Sequence, residues 1–274
     1  MNALPKSASR MWLDGNGAEL TSEPAGSGRC VLIVRKSPSR DEGAPCEDVA
    51  GVVSWDDRTS ALIVADGLGG HGDGDVASRL TLRAIVERLE AVTPDVISIQ
   101  AGILAGIEAA NQALLDRPGG AATTILVALI EDDRFRSYHA GDSELLITGQ
   151  RGKIKHQTVS HSPIGYAVES GLLDAEQGFV HEDRHIISNC VGMAGMRVEI
   201  ASAIKLARRD TVVLASDGLW DNLHVTEVTE IVRKGDLLQA GRRLAELCAA
   251  RMAGVAEGWQ GKPDDLTILL YRSR

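Results

Sequence analysis

An apolar run at residues 61–65, ALIVA, stops abruptly at Asp66, and glycines follow at 67, 69, 70, 72 and 74 before a helical pattern opens near Asp75. The run has the length and β-branched content of a buried strand. A carboxylate at the end of such a strand is partly desolvated, which costs free energy unless a cation or hydrogen-bond donors meet it. The glycines let the backbone approach a ligand closely. Two readings fit. Gly67, Gly69 and Gly72 match G-x-G-x-x-G between a strand and a helix, the dinucleotide fingerprint. Alternatively, Asp66 belongs to a carboxylate metal site, since it would repel a pyrophosphate but suits a hard divalent cation.

The rest of the pattern favours the second reading. Residues 29–36, 49–55 and 61–65 read as strands, the last two joined as a hairpin. Residues 75–91 carry the spacing of an amphipathic helix. A second helix runs to about Leu115, with Thr93 as its N-cap and Pro94 in its first turn. Strands follow at 122–130, 134–139, 144–148 and 153–159, then 186–191, 197–201 and 211–215. Helices at 226–233 and 236–253 precede a final strand at 266–271. Strands, two helices, strands, two helices and a strand describe an α+β chain with antiparallel pairing, not a doubly wound parallel sheet.

Four acidic positions share one setting. Glu47-Asp48 precedes a strand, Asp66 ends one, Asp217 ends one, and Asp264-Asp265 precedes one. Strand ends converge at sheet edges, and converging carboxylates repel or take up protons unless cations neutralise them. Two closely spaced divalent ions answer that need, and they can activate a water and clamp a phosphoryl group. Taken singly, each Asp is as easily a solvated turn residue.

The pieces Glu47-Asp48, ADGLGGHGDGDVAS, Ala122-Thr123-Thr124, Ala140-Gly141-Asp142-Ser143, SDGLWD at 216–221 and Asp264-Asp265-Leu266-Thr267 occur in one order across residues 47–271. In this the chain resembles the metal-dependent protein Ser/Thr phosphatases of the protein phosphatase 2C (PPM) family, in their bacterial form. The resemblance implies a four-layer α-β-β-α sandwich, with two central antiparallel sheets flanked by helices and the metals in a cleft at one end. Residues 1–28 are rich in Ser, Gly, Ala and Pro and are expected to be a flexible segment, while the resemblance implies a single phosphatase domain over 29–274, with a flap at about 161–185. It implies Mg²⁺ or Mn²⁺, two ions and a weaker third. By the same resemblance Asp66 bridges the two ions, the Gly67 carbonyl, Asp48, Asp217 and Asp264 are direct ligands, and Glu47 acts through water. Asp66, Asp48 and Asp217 are then the catalytic residues, and Asp142 helps to hold the third ion. Thr123 and Thr124 support the site through their hydroxyls or simply fill a strand.

The sequence departs from the family in places. The Arg expected four residues before Glu47 is replaced by Gly43, which leaves Arg40 as the candidate phosphate-binding cation. The His expected after Asp-Gly is Leu68, so His71 is read as a loop-ordering residue. Asp265 stands where the family has Asn. A pseudophosphatase that only docks remains the alternative to an enzyme.

The net charge of −9 and the lack of a Lys/Arg-rich block argue against nucleic acid and anionic membranes. Cys30, Cys46, Cys190 and Cys248 are dispersed without a metal-ligand spacing, as expected of buried free thiols in a reducing compartment. No run is long enough to span a membrane, and no signal peptide is evident. The expectation is a cytoplasmic monomer acting on phosphorylated proteins, the targets of a Ser/Thr kinase.

Overall fold

A computed structural model describes residues 7–13, 21–41, 43–68, 73–255 and 261–273. One sheet is built on β1 (Ala8–Trp12), β4 (Asp48–Ser54), β5 (Thr59–Leu68), β7 (Ile125–Glu131), β8 (Arg134–Ala140) and β11 (Glu199–Ile200), in the order β1-β4-β5-β7-β8-β11. The short β6 (Ala122–Thr123) and β12 (Ile204–Lys205) pair with β5 and β8. The second sheet has the order β10-β9-β13-β14-β3-β2. Its strands are β2 (Thr21–Ala25), β3 (Gly28–Arg35), β9 (Glu144–Thr148), β10 (Ile154–Gln157), β13 (Thr211–Ala215) and β14 (Leu266–Ser273). Every pairing is antiparallel.

Both faces of each sheet are covered, so the strands read as continuous apolar runs rather than as an apolar–polar alternation. In β5, Ala61, Ile63 and Ala65 face α1 (Gly74–Ala91) and α2 (Val96–Leu115), while Leu62 and Val64 face the other sheet. In β14, Leu269 and Tyr271 face the first sheet, while Ile268 and Leu270 pack under α5 (Asp217–Trp220), α6 (Val225–Val232) and α7 (Leu237–Met252). The layers are therefore α-β-β-α, as the resemblance implies. An antiparallel sheet at β5 removes the framework that a dinucleotide-binding βαβ unit needs.

The flap region expected at about 161–185 is largely helical. It holds α3 (Pro163–Glu169), α4 (Ala175–Phe179) and a 3₁₀ turn at Glu182–His185. Ser162 and Asp174 cap α3 and α4, accepting from the Gly165 and Gln177 amides.

Other elements differ from the sequence expectation. The Ser/Gly/Pro-rich start gives no strand signal, yet β1 and β2 lie within it as edge strands pairing β4 and β3. An edge strand needs no doubly buried run and tolerates Pro24. The cap of α2 is Asp95, whose side chain accepts from the Ser98 amide; Thr93 instead donates its hydroxyl to Asp95. Of the strands expected at 186–191 and 197–201, only β11 and a single bridge from Val191 to Thr123 form. The intervening backbone is held instead by Asn189, which accepts from the Arg197 amide and donates to the Arg197 carbonyl. All four cysteines are free and buried. No helix among the described residues is long and apolar enough to cross a membrane.

Candidate metal centre

Strand register brings the acids together. Asp48, the first residue of β4, stands opposite Asp66 near the end of β5. Asp48 shares its face with Ala50 and Val52, and Asp66 shares its face with Leu62 and Val64, so both carboxylates point between the sheets. Glu144 at the start of β9 pairs with Ala215 at the end of β13, and Ala215 pairs with Ile268 near the start of β14. Hence the turn carrying Asp142, the first residue of α5 (Asp217) and the Asp264-Asp265 pair all reach this same end of the sandwich. Asp217 does not terminate β13 directly but opens α5 after Ser216.

Hydrogen bonds fix the backbone here. Thr124 accepts from the Asp66 amide at 3.0 Å, and Thr123 donates to the Asp66 carbonyl at 2.7 Å. The Thr124 and Ser143 hydroxyls lie 2.7 Å apart, tying the Asp142 turn to the same point. Both threonine hydroxyls therefore support the strand end that carries Asp66. Gly141 gives that turn its left-handed φ of 122°. The Gly67 amide donates to the Glu47 carbonyl at 3.1 Å, and a Cβ on Gly67 would lie 2.1 Å from the Gly74 carbonyl oxygen, so only glycine fits.

The electrostatics are those of crowded acids. Burial pushes Asp48 well above the ordinary carboxylate range, and Asp265 adds to the push while a hydrogen bond from Ser216 opposes it. Burial, then Asp48, Asp217, Asp264 and Asp142, raise Asp66. Burial, then Asp217 and Asp221, raise Asp142. Burial and Asp217 bring Asp264 to about 7. Besides burial, each of these acids is raised by at least one of the other predicted acids, as is expected of carboxylates that share one region.

Arg40 and Lys262 border the cluster. Arg40 is ion-paired with Glu47, and its Nε donates to Asp265 at 3.1 Å. Asp265 also accepts from the Ser37 and Glu47 amides, each at 2.6 Å, so it staples the loop between β3 and β4. Lys262 holds three acids at once: Asp217 at 2.6 Å, Asp221 at 2.7 Å and Asp264 at 3.3 Å. Burial lowers the Lys262 pKa, but Asp217 and Asp221 more than reverse this and leave it raised. Sequence reasoning missed Lys262, Asp221 and Ser216, whose hydroxyl donates to Asp48 at 2.6 Å. The signals were faint: a Lys two residues before Asp264, and an Asp four residues after Asp217.

The residues present fit a metal centre in two respects. Asp48 Oδ1 and Asp142 Oδ1 are buried without a hydrogen-bond partner, and such atoms are costly unless a cation meets them. The groups around Asp66 are Asp48, Asp217, Asp264 and Asp142, an all-carboxylate donor set of the kind a hard divalent cation takes. Among the described residues, one trio of His, Cys or carboxylate side chains brings its ligand atoms within 4.8 Å of one another: His139, His161 and Glu199. That trio reads as a hydrogen-bonded cluster. His161 Nδ1 accepts the Gly141 amide at 3.1 Å, which puts the proton on Nε2, 3.3 Å from Glu199. His139 Nε2 lies 3.1 Å from the Val159 carbonyl, to which it must donate. Among the described residues, no three of the predicted acids bring ligand oxygens within 4.8 Å of one another. Leu68 occupies the last position of β5, whereas His71, Gly69 and Gly72 lie outside the described residues.

The chain is similar to known proteins in sequence and in fold. The sequence profile of the Protein phosphatase 2C family matches residues 37–251. The serine/threonine phosphatase stp of Listeria welshimeri is 27% identical over 233 residues, covering 82% of this chain and 88% of the relative. The serine/threonine protein phosphatase PstP of Mycobacterium tuberculosis is 28% identical over 248 residues, 88% of this chain but 45% of the longer relative. Among solved structures, Stp1 from Staphylococcus aureus superposes with a TM-score of 0.78 at 23% identity, covering 92% of this chain and 97% of that one. The catalytic domain of PstP in complex with two manganese ions gives 0.70 at 24% identity, covering 89% of this chain and 97% of that one.

Proposed function

The chain belongs to the protein phosphatase 2C family and is a bacterial-type protein serine/threonine phosphatase that uses divalent metal, and on that premise we propose how its own residues divide the work. Asp66, Asp48, Asp217, Asp264 and the Gly67 carbonyl would hold two ions, and Glu47 would act through water. The observation that carries this assignment is the Asp48–Asp66 register pair, with an unpartnered buried carboxylate oxygen on Asp48. The ions are Mg²⁺ or Mn²⁺, in line with the two manganese ions of the PstP catalytic domain. Asp142, with its own unpartnered oxygen, is the candidate for a third. Bound there, such ions supply Lewis-acid activation of a water and neutralise phosphoryl charge.

The protein's own part is orientation and charge. Thr123 and Thr124 hold the end of β5 so that Asp66 keeps its place, and Ser216 fixes one oxygen of Asp48. Arg40, at the rim beside Glu47, is the cation nearest in sequence to the place of the missing Arg and the candidate to bind substrate phosphate. The chain acts on phosphoproteins. We take these to be targets of a Ser/Thr kinase and the enzyme to be a cytoplasmic monomer, a reading supported by its acidic charge and buried thiols.

The test is phosphate release from a phosphothreonine peptide with added Mn²⁺ and with a chelator. Turnover that requires the metal and falls by orders of magnitude in Asp66→Asn is expected. Equal release by Asp66→Asn and wild type would overturn the assignment.

A further inference from the structure

Beside the acid cluster, the flap roofs a cavity of about 770 Å³, a volume typical of ligand sites. Asp221 belongs to both: it lines the cavity and shares Lys262 with Asp217. The walls have two characters. Ile164, Val168, Phe179 and Leu223 make them apolar. Five carboxylates, from Glu144, Glu169, Asp174, Glu176 and Asp221, also line them, against one guanidinium, that of Arg184.

Arg184 demonstrates what this space accommodates. Its Nε lies 3.6 Å from Asp221, its guanidinium carbon stands 5.6 Å from the centre of the Phe179 ring, and it donates to the Phe179 carbonyl. The chain thus already seats one cation here between an aromatic face and a carboxylate. Charge of the opposite sign remains in excess. Asp174 is engaged in capping α4, but among the described residues Glu176 has a single ion pair, a 3.8 Å approach to His224, and Glu144 accepts from the neutral Gln157 amide at 3.0 Å.

We propose that this cavity binds a lysine or arginine side chain of the phosphoprotein substrate, and so directs the enzyme to phosphorylated residues with a basic neighbour. The inference rests on the phosphatase reading. The aliphatic stem of such a side chain packs along Ile164 and Val168 while its charged head reaches Glu144 and Glu176. The cavity lies one shared ammonium away from Asp217, and an extended peptide advances about 3.3 Å per residue, so the basic residue falls within about three positions of the phosphorylated one.

The experiment uses the Mn²⁺-loaded full chain and phosphothreonine peptides with alanine at every flanking position but one. A single arginine is moved along both flanks, and kcat/KM is compared with that of the all-alanine peptide. We expect a gain of about tenfold at one or two adjacent positions, carried by KM. Glu144→Gln and Glu176→Gln should each reduce that gain at those positions. Because the gain is a ratio within each enzyme, loss of folding or of metal does not imitate the result. The Glu176 side chain is also 72% exposed, so its replacement leaves the core untouched. No gain, an equal gain at every position, or a gain that survives both replacements overturns the proposal. Turnover of the all-alanine peptide and of an aryl phosphate without an arginine preference sinks the proposal alone. Absence of all turnover sinks the phosphatase reading and the proposal together.

Discussion

Asp48 and Asp66 stand directly opposite each other on neighbouring antiparallel strands, both facing the space between the two sheets. Nothing in the packing of a β-sandwich asks for this. Directly opposed like charges destabilise a strand pair, and the fold carries the cost at the one edge where Asp142, Asp217 and Asp264 also arrive.

The metal-free protein should lose stability as pH rises. Burial, then neighbouring acids, raise Asp48, Asp66, Asp142 and Asp264, the last to about 7. Between the ordinary carboxylate value, about 4, and about 7, the folded chain therefore binds more protons than the unfolded chain, and its stability falls as pH increases through that window. Metal binding requires the deprotonated acids, so the stabilisation by Mn²⁺ should grow with pH. Tm measured across this range with and without Mn²⁺ checks both trends. A metal-free Tm that rises with pH across the window would contradict the account.

Lys262 acts as a resident counter-ion. Its ammonium holds Asp217, Asp221 and Asp264, and a metal ion that takes Asp217 and Asp264 has to displace it. Lys262→Gln should therefore bind Mn²⁺ more tightly, by about tenfold, equivalent to about 1.4 kcal/mol. Isothermal titration checks this, and weaker binding in the variant would show that Lys262 orients the acids rather than competing for them.

Asp265 should matter to stability through the loop it staples. Asp265→Ala leaves the buried Ser37 and Glu47 amides without an acceptor, at a cost of about 1–3 kcal/mol for each. Asp265→Asn keeps an acceptor of the same shape and should cost less. Urea unfolding of the two variants separates these outcomes.

Gly67→Ala tests the backbone approach at the centre. The added Cβ would fall 2.1 Å from the Gly74 carbonyl, so β5 and the start of α1 must move apart. We expect a loss of more than about 2 kcal/mol in stability and of most metal-dependent activity. A variant with wild-type Tm and turnover would show that the contact relaxes freely.

Much of this was legible in the sequence. Doubly buried strands such as residues 61–65 and 211–215 declare themselves as apolar runs, and acids at their ends mark the edge where a site can form. The order of the elements separated an antiparallel sandwich from a dinucleotide fold despite Gly67, Gly69 and Gly72. Less legible were features that depend on partners distant in the chain. Edge strands β1 and β2 are recruited by β4 and β3, not by their own composition. Lys262 gains its role only when α5 and the approach to β14 meet. Arg40 and Asp265 find each other across 225 positions. The cavity under the flap forms between α3, α4 and residues 220–226, and no local pattern encodes it.

Asp66 and its neighbours are proposed to hold two divalent ions. The most direct measurement is Mn²⁺ stoichiometry by isothermal titration of the wild-type chain and of Asp66→Asn. Two tightly bound ions per wild-type chain are expected, apart from any weaker third, with the tight binding lost in the variant. Equal stoichiometry and affinity in the two proteins would contradict it.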